Sequence, residues 1–361
     1  MAKKETEILC ICNALVDIYA AADEQLCASY GITGPAQHIG IDTLNALLPQ
    51  VPDFIAVSGG GAANVAKIAG LLGANVCFTG SAGASDESSD HFGLLFERDL
   101  SSAGVKLKLY LKPIPTGIFV MFKTGEGETF IAASPSAAGE FSEKDLDEED
   151  FKNTRIVVID GFMWDRPGLI RRILELTASN GKIAALDLGS LDAAEEHAKD
   201  IMGYINQYPL ILFMNETEAL AFYNSIRKER KEATLDQAAP NMAAPIQAGM
   251  NQETDEYFMS LTAGKSFPVI VVKLGERGAL CFAGGKILRA ETSAIVPYDA
   301  TGAGDAFCAG FLISWVRNKP LSECAELGNK AARIVLDAVG TQVDREKFKN
   351  LAGQLVMRND Q

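Results

Sequence analysis

Four short stretches of the sequence share one design, and that design limits the fold more than any other feature. "RIVVIDG" ends its apolar run at Asp160, "KIAALDLG" at Asp187, "PLILFMNE" at Asn215 and "PVIVVKLG" at Lys273. A continuous apolar run has no solvent face, so each strand must be covered on both sides. Amphipathic segments lie between them. "GLIRRILELTASNG" places Leu169, Ile170, Ile173, Leu174 and Leu176 on one helical face, with Gly181 as its stop. Strands alternating with helices imply right-handed crossovers and an α/β fold: a doubly wound, mostly parallel sheet flanked by helices. Ligands bind such sheets beyond the carboxyl ends of the strands. Asp160, Asp187, Asn215 and Lys273 are therefore expected to face one cleft.

The first 140 residues carry a second pattern. "NALVDIYAAAD", "AQHIGID" and "PTGIFVMFKTGEGETFIAA" read as shorter strands that do not alternate with helices, the last a hairpin turning at Gly125–Gly127. A small antiparallel β-sheet is expected from them, drawn from about residues 13–42 and 105–135. Beside a ligand cleft its natural work is that of a lid. The stretch 233–254, "ATLDQAAPNMAAPIQAGMNQET", has no period and reads as an irregular surface insertion. No repeat divides the chain, which reads as a single domain over residues 1–361.

Composition narrows the partners. Of the 361 residues 48% are hydrophobic, enough for a large core. A formal net charge of −14 argues against nucleic acid, whose phosphates need clustered Lys and Arg. The one basic run, "RKERKE" at Arg227–Glu232, is interleaved with acids and reads as a solvated helix face. The seven cysteines form no C-x-x-C pair, and only His38, His91 and His197 could join them on a metal. Free thiols in a reducing cytosol are expected. No apolar run approaches the roughly 20 residues of a membrane span, so the expected location is cytoplasmic.

The stretch "YDATGAGDAFCAGF" holds the sharpest chemistry. After Gly304 the residues Phe307, Phe311 and Trp315 recur every fourth position, so a buried helix starts there. Gly302, Ala303 and Gly304 then lie at its N-terminus, where unpaired amides and the helix dipole favour an anion. Asp305, in the first turn, could take a proton from an attacking hydroxyl. The bland alternative is a helix-start acid after a tight turn.

"SGGGAANVAKIAGLLGA" gives a second glycine-rich helix entry, with Gly60 and Gly61 before the helix and Asn64 in its first turn. It has neither the G-x-G-x-x-G spacing nor a P-loop lysine, which weakens a nicotinamide-dependent oxidoreductase and a P-loop enzyme. In "NALVD", Asn13 and Asp17 at a strand exit could bind vicinal hydroxyls, or simply make a turn. In "NETE", Asn215 and Glu218 share one side of a helix's first turn and could hold Mg²⁺ through its waters, or cap the helix. "KLGERGAL" reads as a hairpin: a strand, a turn at Gly275 and a returning strand at Gly278.

Taken in order, "NALVD", "GGGAAN", "NETE", "KLGERGA" and "DATGAGD" resemble the ribokinase-like (PfkB) family of sugar and nucleoside kinases, from about Ile8 to Gly340. The resemblance implies an ATP- and Mg²⁺-dependent kinase acting on a small-molecule sugar or nucleoside, as a monomer or homodimer. It implies Asp305 as catalytic base and Gly302, Ala303 and Gly304 as an anion hole. It implies substrate binding by Asn13, Asp17, Gly60, Gly61 and Asn64. Nucleotide binding falls to Lys273, Gly275, Gly278 and Asn329, and the Mg²⁺ shell to Asn215 and Glu218. Some members also use K⁺ near the anion hole, though nothing in this sequence requires it.

"NALVDI", "DGFMWD", "ALDLGS" and "ILFMNETEALAF" are most similar to the adenosine-kinase-like branch, which slightly favours adenosine over ribose, fructose or 2-keto-3-deoxygluconate. Two departures stand out. Ala300 replaces the usual hydroxyl or proline residue, and the Arg that the branch carries near Glu128–Thr129–Phe130 is missing. A non-catalytic sensor of a nucleoside or sugar phosphate is the reading of a different class; the intact Asp305 and N-x-x-E pair oppose it.

Overall fold

The computed structural model describes residues 5–21, 24–34, 37–51, 53–123, 129–234, 249–293, 300–337 and 343–357. The four diagnostic runs form strands Thr154–Asp160, Ile183–Asp187, Leu210–Asn215 and Val269–Lys273. They are consecutive neighbours in a ten-stranded sheet, all parallel. The sheet continues past Thr154–Asp160 through Thr6–Ile11 to Val76–Ser85, again in parallel, and ends at its other edge in the antiparallel strands Ala279–Ala283 and Lys286–Ala290. In the register Asp160 stands opposite Asp187, and Asn215 opposite Lys273. The polar strand ends are thus brought to one edge.

Burial follows the sequence pattern. Ile156, Val157, Ile159, Leu186, Leu212, Val271 and Val272 are each at most 1% exposed, because both faces of the sheet carry helices. The expected helix on residues 168–181 runs over Pro167–Ser179 with Leu169, Ile170, Ile173, Leu174 and Leu176 buried. All seven cysteines are free, six of them buried.

The small sheet has five strands, ordered Gln37–His38, Thr129–Ser136, Thr116–Lys123, Leu15–Ala21 and Phe54–Gly59. It is mixed and not antiparallel as expected: Leu15–Ala21 runs antiparallel to Phe54–Gly59 but parallel to Thr116–Lys123, to which it is joined through the large sheet and not by a hairpin. Its composition corrects the expected boundaries in two places. Lys106–Lys112 pairs in parallel with Val76–Ser85 and so extends the large sheet. Its alternation, "KLKLYLK", suits an edge exposed on one face, which either sheet could have offered. Phe54–Gly59 joins the small sheet instead, leading directly into the helix Gly61–Leu71. The hairpin turn at Gly125–Gly127 and most of the stretch 233–254 lie outside the described residues; a helix with an Asn251 cap begins at Gln252. No helix among the described residues is long and apolar enough to cross a membrane.

Candidate active site

The helix Ala303–Val316 is held by the aromatic series predicted for it. Phe307, Phe311 and Trp315 stack at successive 6.2 Å centroid spacings, and Phe213 of the sheet meets Phe311 edge-on at 5.3 Å. Burying aromatic area on this scale contributes several kcal/mol and fixes the helix axis. Gly302 caps the N-terminus at φ +78, a left-handed conformation that a residue with a Cβ adopts only under strain. The turn closes through its backbone, with the Ala303 amide donating to the Ala300 carbonyl at 3.2 Å. A side-chain hydroxyl at position 300 is therefore not needed to form it.

Asp305 occupies the first turn and faces the second glycine-rich entry. The Asn64 side-chain amide donates to Asp305 Oδ2 at 2.9 Å. Burial pushes the Asp305 carboxyl up to about 8, and the negative charge of Asp187 adds to the rise; the Asn64 bond and the Lys273 charge oppose it. Asn64 is itself buried, and its Oδ1 has no hydrogen-bond partner. Gly60 precedes this helix at φ +94, packed so closely on the Asn13 carbonyl that a Cβ would overlap it. Gly61 begins the helix against Asp160, whose Oδ2 accepts from the Ala62 amide at 3.0 Å.

The strand ends meet as expected. Lys273 Nζ donates to Asp187 Oδ2 at 2.6 Å, and a Cβ built on Gly304 would lie 3.2 Å from that ammonium. The lysine is therefore packed directly against the start of the Asp305 helix. Its pKa is raised despite burial, chiefly by the Asp187 charge. Asn215 and Glu218 bind each other reciprocally: the Asn215 backbone and side-chain amides donate to Glu218 at 2.8 and 2.7 Å, and the Glu218 amide donates back to Asn215 Oδ1 at 2.9 Å. That is the geometry of a helix cap, and it also fixes a buried carboxylate whose pKa burial raises. Among the described residues no three His, Cys, Asp or Glu side chains converge on one point as direct metal ligands.

The remaining predicted residues spread around this centre. Gly275 and Gly278 close the turn after Val269–Lys273, the Gly278 amide donating to the Gly275 carbonyl at 3.0 Å. Asn329 braces the adjacent edge, donating to the Ala290 and Glu291 carbonyls at 3.2 and 3.3 Å. Asp17 is buried on the small sheet, against Gly59. Asn13 is engaged on both sides of its amide: Nδ2 donates to the Phe162 carbonyl at 3.1 Å, and Oδ1 accepts from Arg166.

Arg166, Phe162 and the pairing of Asp187 with Lys273 went unread in the sequence. Arg166 also donates to the Ala138 and Phe141 carbonyls at 2.8 and 3.2 Å, tying the exit of the small sheet to the strand-end cleft. Phe162, just beyond the Asp160 strand end, is 56% exposed and packs over Gly189. The "DGFMWDR" stretch was the available signal, since an aromatic residue two positions after a strand-end aspartate is placed just beyond the strand end.

The fold is that of the carbohydrate and nucleoside kinases. The chain matches the pfkB family carbohydrate kinases over residues 25–347 and belongs to that family. Among curated relatives, it is 26% identical to adenosine kinase 2 of Arabidopsis thaliana over 348 residues, covering 91% of this chain and 93% of that one. It is 25% identical to the ribokinase of Bacillus subtilis over 299 residues, covering 80% and 84%. Among solved structures, the adenosine kinase of Sinorhizobium meliloti superposes with a TM-score of 0.77 at 25% identity, covering 98% of this chain and all of that chain. A probable sugar kinase from Rhizobium etli superposes at 0.78 with 22% identity, covering 98% and 100%, a likeness of fold alone.

Proposed function

We propose that the protein transfers the γ-phosphate of ATP to a primary hydroxyl of a nucleoside, with adenosine the favoured acceptor. The observation that carries this is Asp305: a carboxylate with a raised pKa, in the first turn of a glycine-entered helix, held by Asn64 from the opposite wall. A base of that strength is matched to a hydroxyl proton near neutral pH. The first-turn amides after Gly302 point to where negative charge grows on the transferred group, and they need no reorganisation to meet it. Asp305 accepts the proton as the phosphoryl group moves in line.

Asn64 and Asp17 orient the acceptor hydroxyls, with Gly60 and Gly61 allowing its close approach. Asn13, braced by Arg166, fixes the floor beneath it. Lys273 with the Gly275–Gly278 turn and Asn329 form the nucleotide side. The donor set fits Mg²⁺ held through water: Asn215 and Glu218 fix each other, and the Glu218 carboxylate keeps lone pairs to spare. When bound, Mg²⁺ neutralises charge on the phosphate oxygens. The small sheet acts as the lid that excludes water. An exposed aromatic face at Phe162 favours a nucleoside over a bare sugar, because a base can stack on it.

Purified protein with ATP and Mg²⁺ should phosphorylate adenosine with a higher kcat/KM than other nucleosides, ribose, fructose, fructose phosphates or 2-keto-3-deoxygluconate. Preference for any of the sugars would overturn the nucleoside assignment. ATP turnover with none of them would favour a sensor.

A further inference from the structure

Around Asp305 the structure places a compact set of charged and polar groups drawn from several elements. Asp160, Asp187 and Lys273 come from three strand ends, Asn64 from the helix Gly61–Leu71, and Cys308 from one turn further along the Asp305 helix. Glu218 faces the Asp187–Lys273 pair from the first turn of the helix Glu216–Thr234. Only Lys273 carries positive charge in this set. Its ammonium is bound by Asp187 at 2.6 Å, lies 4.0 Å from Cys308 Sγ and packs against Gly304. The Cys308 thiol donates to the same Asp187 oxygen at 3.4 Å. The other Asp187 oxygen is buried and has no hydrogen-bond partner.

This arrangement is a poor way to gain stability. A buried ion pair rarely outdoes apolar packing, and an orphaned buried oxygen adds cost. The placement has a use in the reaction. A lysine on four flexible carbons would otherwise have many positions for its charge. Anchored by Asp187, the charge is fixed behind the glycine turn, one residue from the carboxylate that must ionise.

We infer that Asp187 is a positioning residue for phosphoryl transfer: it holds the Lys273 ammonium against Gly304, at the start of the helix that carries Asp305. The inference rests on Asp305 being the base, and the sign of each effect follows from charge. Without the Asp187 charge the ammonium acts alone, so the Asp305 carboxylate is favoured. Without the Lys273 charge, Asp187 and Asp160 both oppose that carboxylate.

The test compares kcat/KM against pH, at saturating ATP, for wild type, Asp187→Asn, Lys273→Met and the double variant, with Asp305→Asn alongside. The acid limb should move to lower pH by about one unit in Asp187→Asn and to higher pH by about one unit in Lys273→Met. In the double variant it should return close to the wild-type position, whatever the loss in rate. An inactive Asp305→Asn with unmoved limbs in both single variants would sink the inference and leave the base standing. Near-normal turnover in Asp305→Asn would remove both. If either single variant does not fold, Lys273→Arg and Asp187→Glu decide, since they keep the charges and shift them. Turnover at least about tenfold lower with the limb unmoved supports positioning, and full turnover overturns it.

Discussion

Asn64 and Asp305 are 241 residues apart in the chain, yet the amide of one is bonded to the carboxylate of the other at 2.9 Å. Each lies in the first turn of a helix entered through glycine, so two helix N-termini face each other across a single hydrogen bond. Asp305→Asn removes the proton acceptor while keeping the shape. Turnover should fall by about 10²–10⁴-fold with acceptor binding nearly intact. Steady-state kinetics and calorimetric binding on the same variant check both halves.

The same substitution should stabilise the protein at alkaline pH. The folded carboxyl titrates near 8, above its unfolded value of 3.8, so its contribution to stability is full below 3.8 and lost as pH rises through 8. Asp305→Asn escapes that loss. Its Tm should exceed the wild-type Tm by on the order of 3 °C above pH 8, and the difference should vanish toward pH 4. Thermal melts across that range measure it. A constant difference at all pH values would contradict a raised carboxyl.

Gly60→Ala must place a Cβ against the Asn13 carbonyl at a backbone angle of +94°. Strain and overlap together should cost about 2–4 kcal/mol in denaturant unfolding. Because the carbonyl belongs to Asn13, acceptor KM should rise as well.

Arg166→Ala frees the Oδ1 side of Asn13 and releases the Ala138 and Phe141 carbonyls. Acceptor KM should rise by roughly ten- to a hundredfold, with a smaller change in KM for ATP. Equal changes in the two would mean that Arg166 supports the fold in general.

Lys67 is 1% exposed on the helix Gly61–Leu71 and bonds Ser58 Oγ at 3.0 Å and Asp99 at 3.1 Å. Asp99 also pairs with Arg345 at 2.9 Å, which ties the last helix to this one. Lys67→Met should destabilise the protein by about 3 kcal/mol, since a carboxylate is left short of a partner. Chemical denaturation measures this, and turnover per folded molecule should stay within about twofold.

Periodicity and strand-end chemistry made much of this legible in the sequence. The parallel strands declared themselves because Ile156–Ile159 and Ile270–Val272 have no polar face to offer solvent. The Asp305 helix was readable because its aromatic residues recur every fourth position and its glycines precede them. Partner choice was not readable. That Asp187 takes Lys273 depends on strand order, which no local pattern encodes, and Lys67 in "NVAKIAG" looks like an ordinary solvent-facing lysine until Ser58 and Asp99 are placed beside it. The edge strands were the hardest: "KLKLYLK" and "FIAVSG" suit an exposed edge in either sheet, and long-range pairing decides between them.

The strand Thr6–Ile11 lies between Val76–Ser85 and Thr154–Asp160, with Ile8 opposite both Val76 and Ile156. Thr6–Ile11 is therefore a keystone of the large sheet, and it cannot be locked on both sides until its far neighbour, some 150 residues later in the chain, has been synthesised. Its apolar side chains and unpaired backbone groups must be kept from other chains during that wait. A chaperone that shields nascent polypeptides would matter most for this protein in the interval before Thr154–Asp160 emerges.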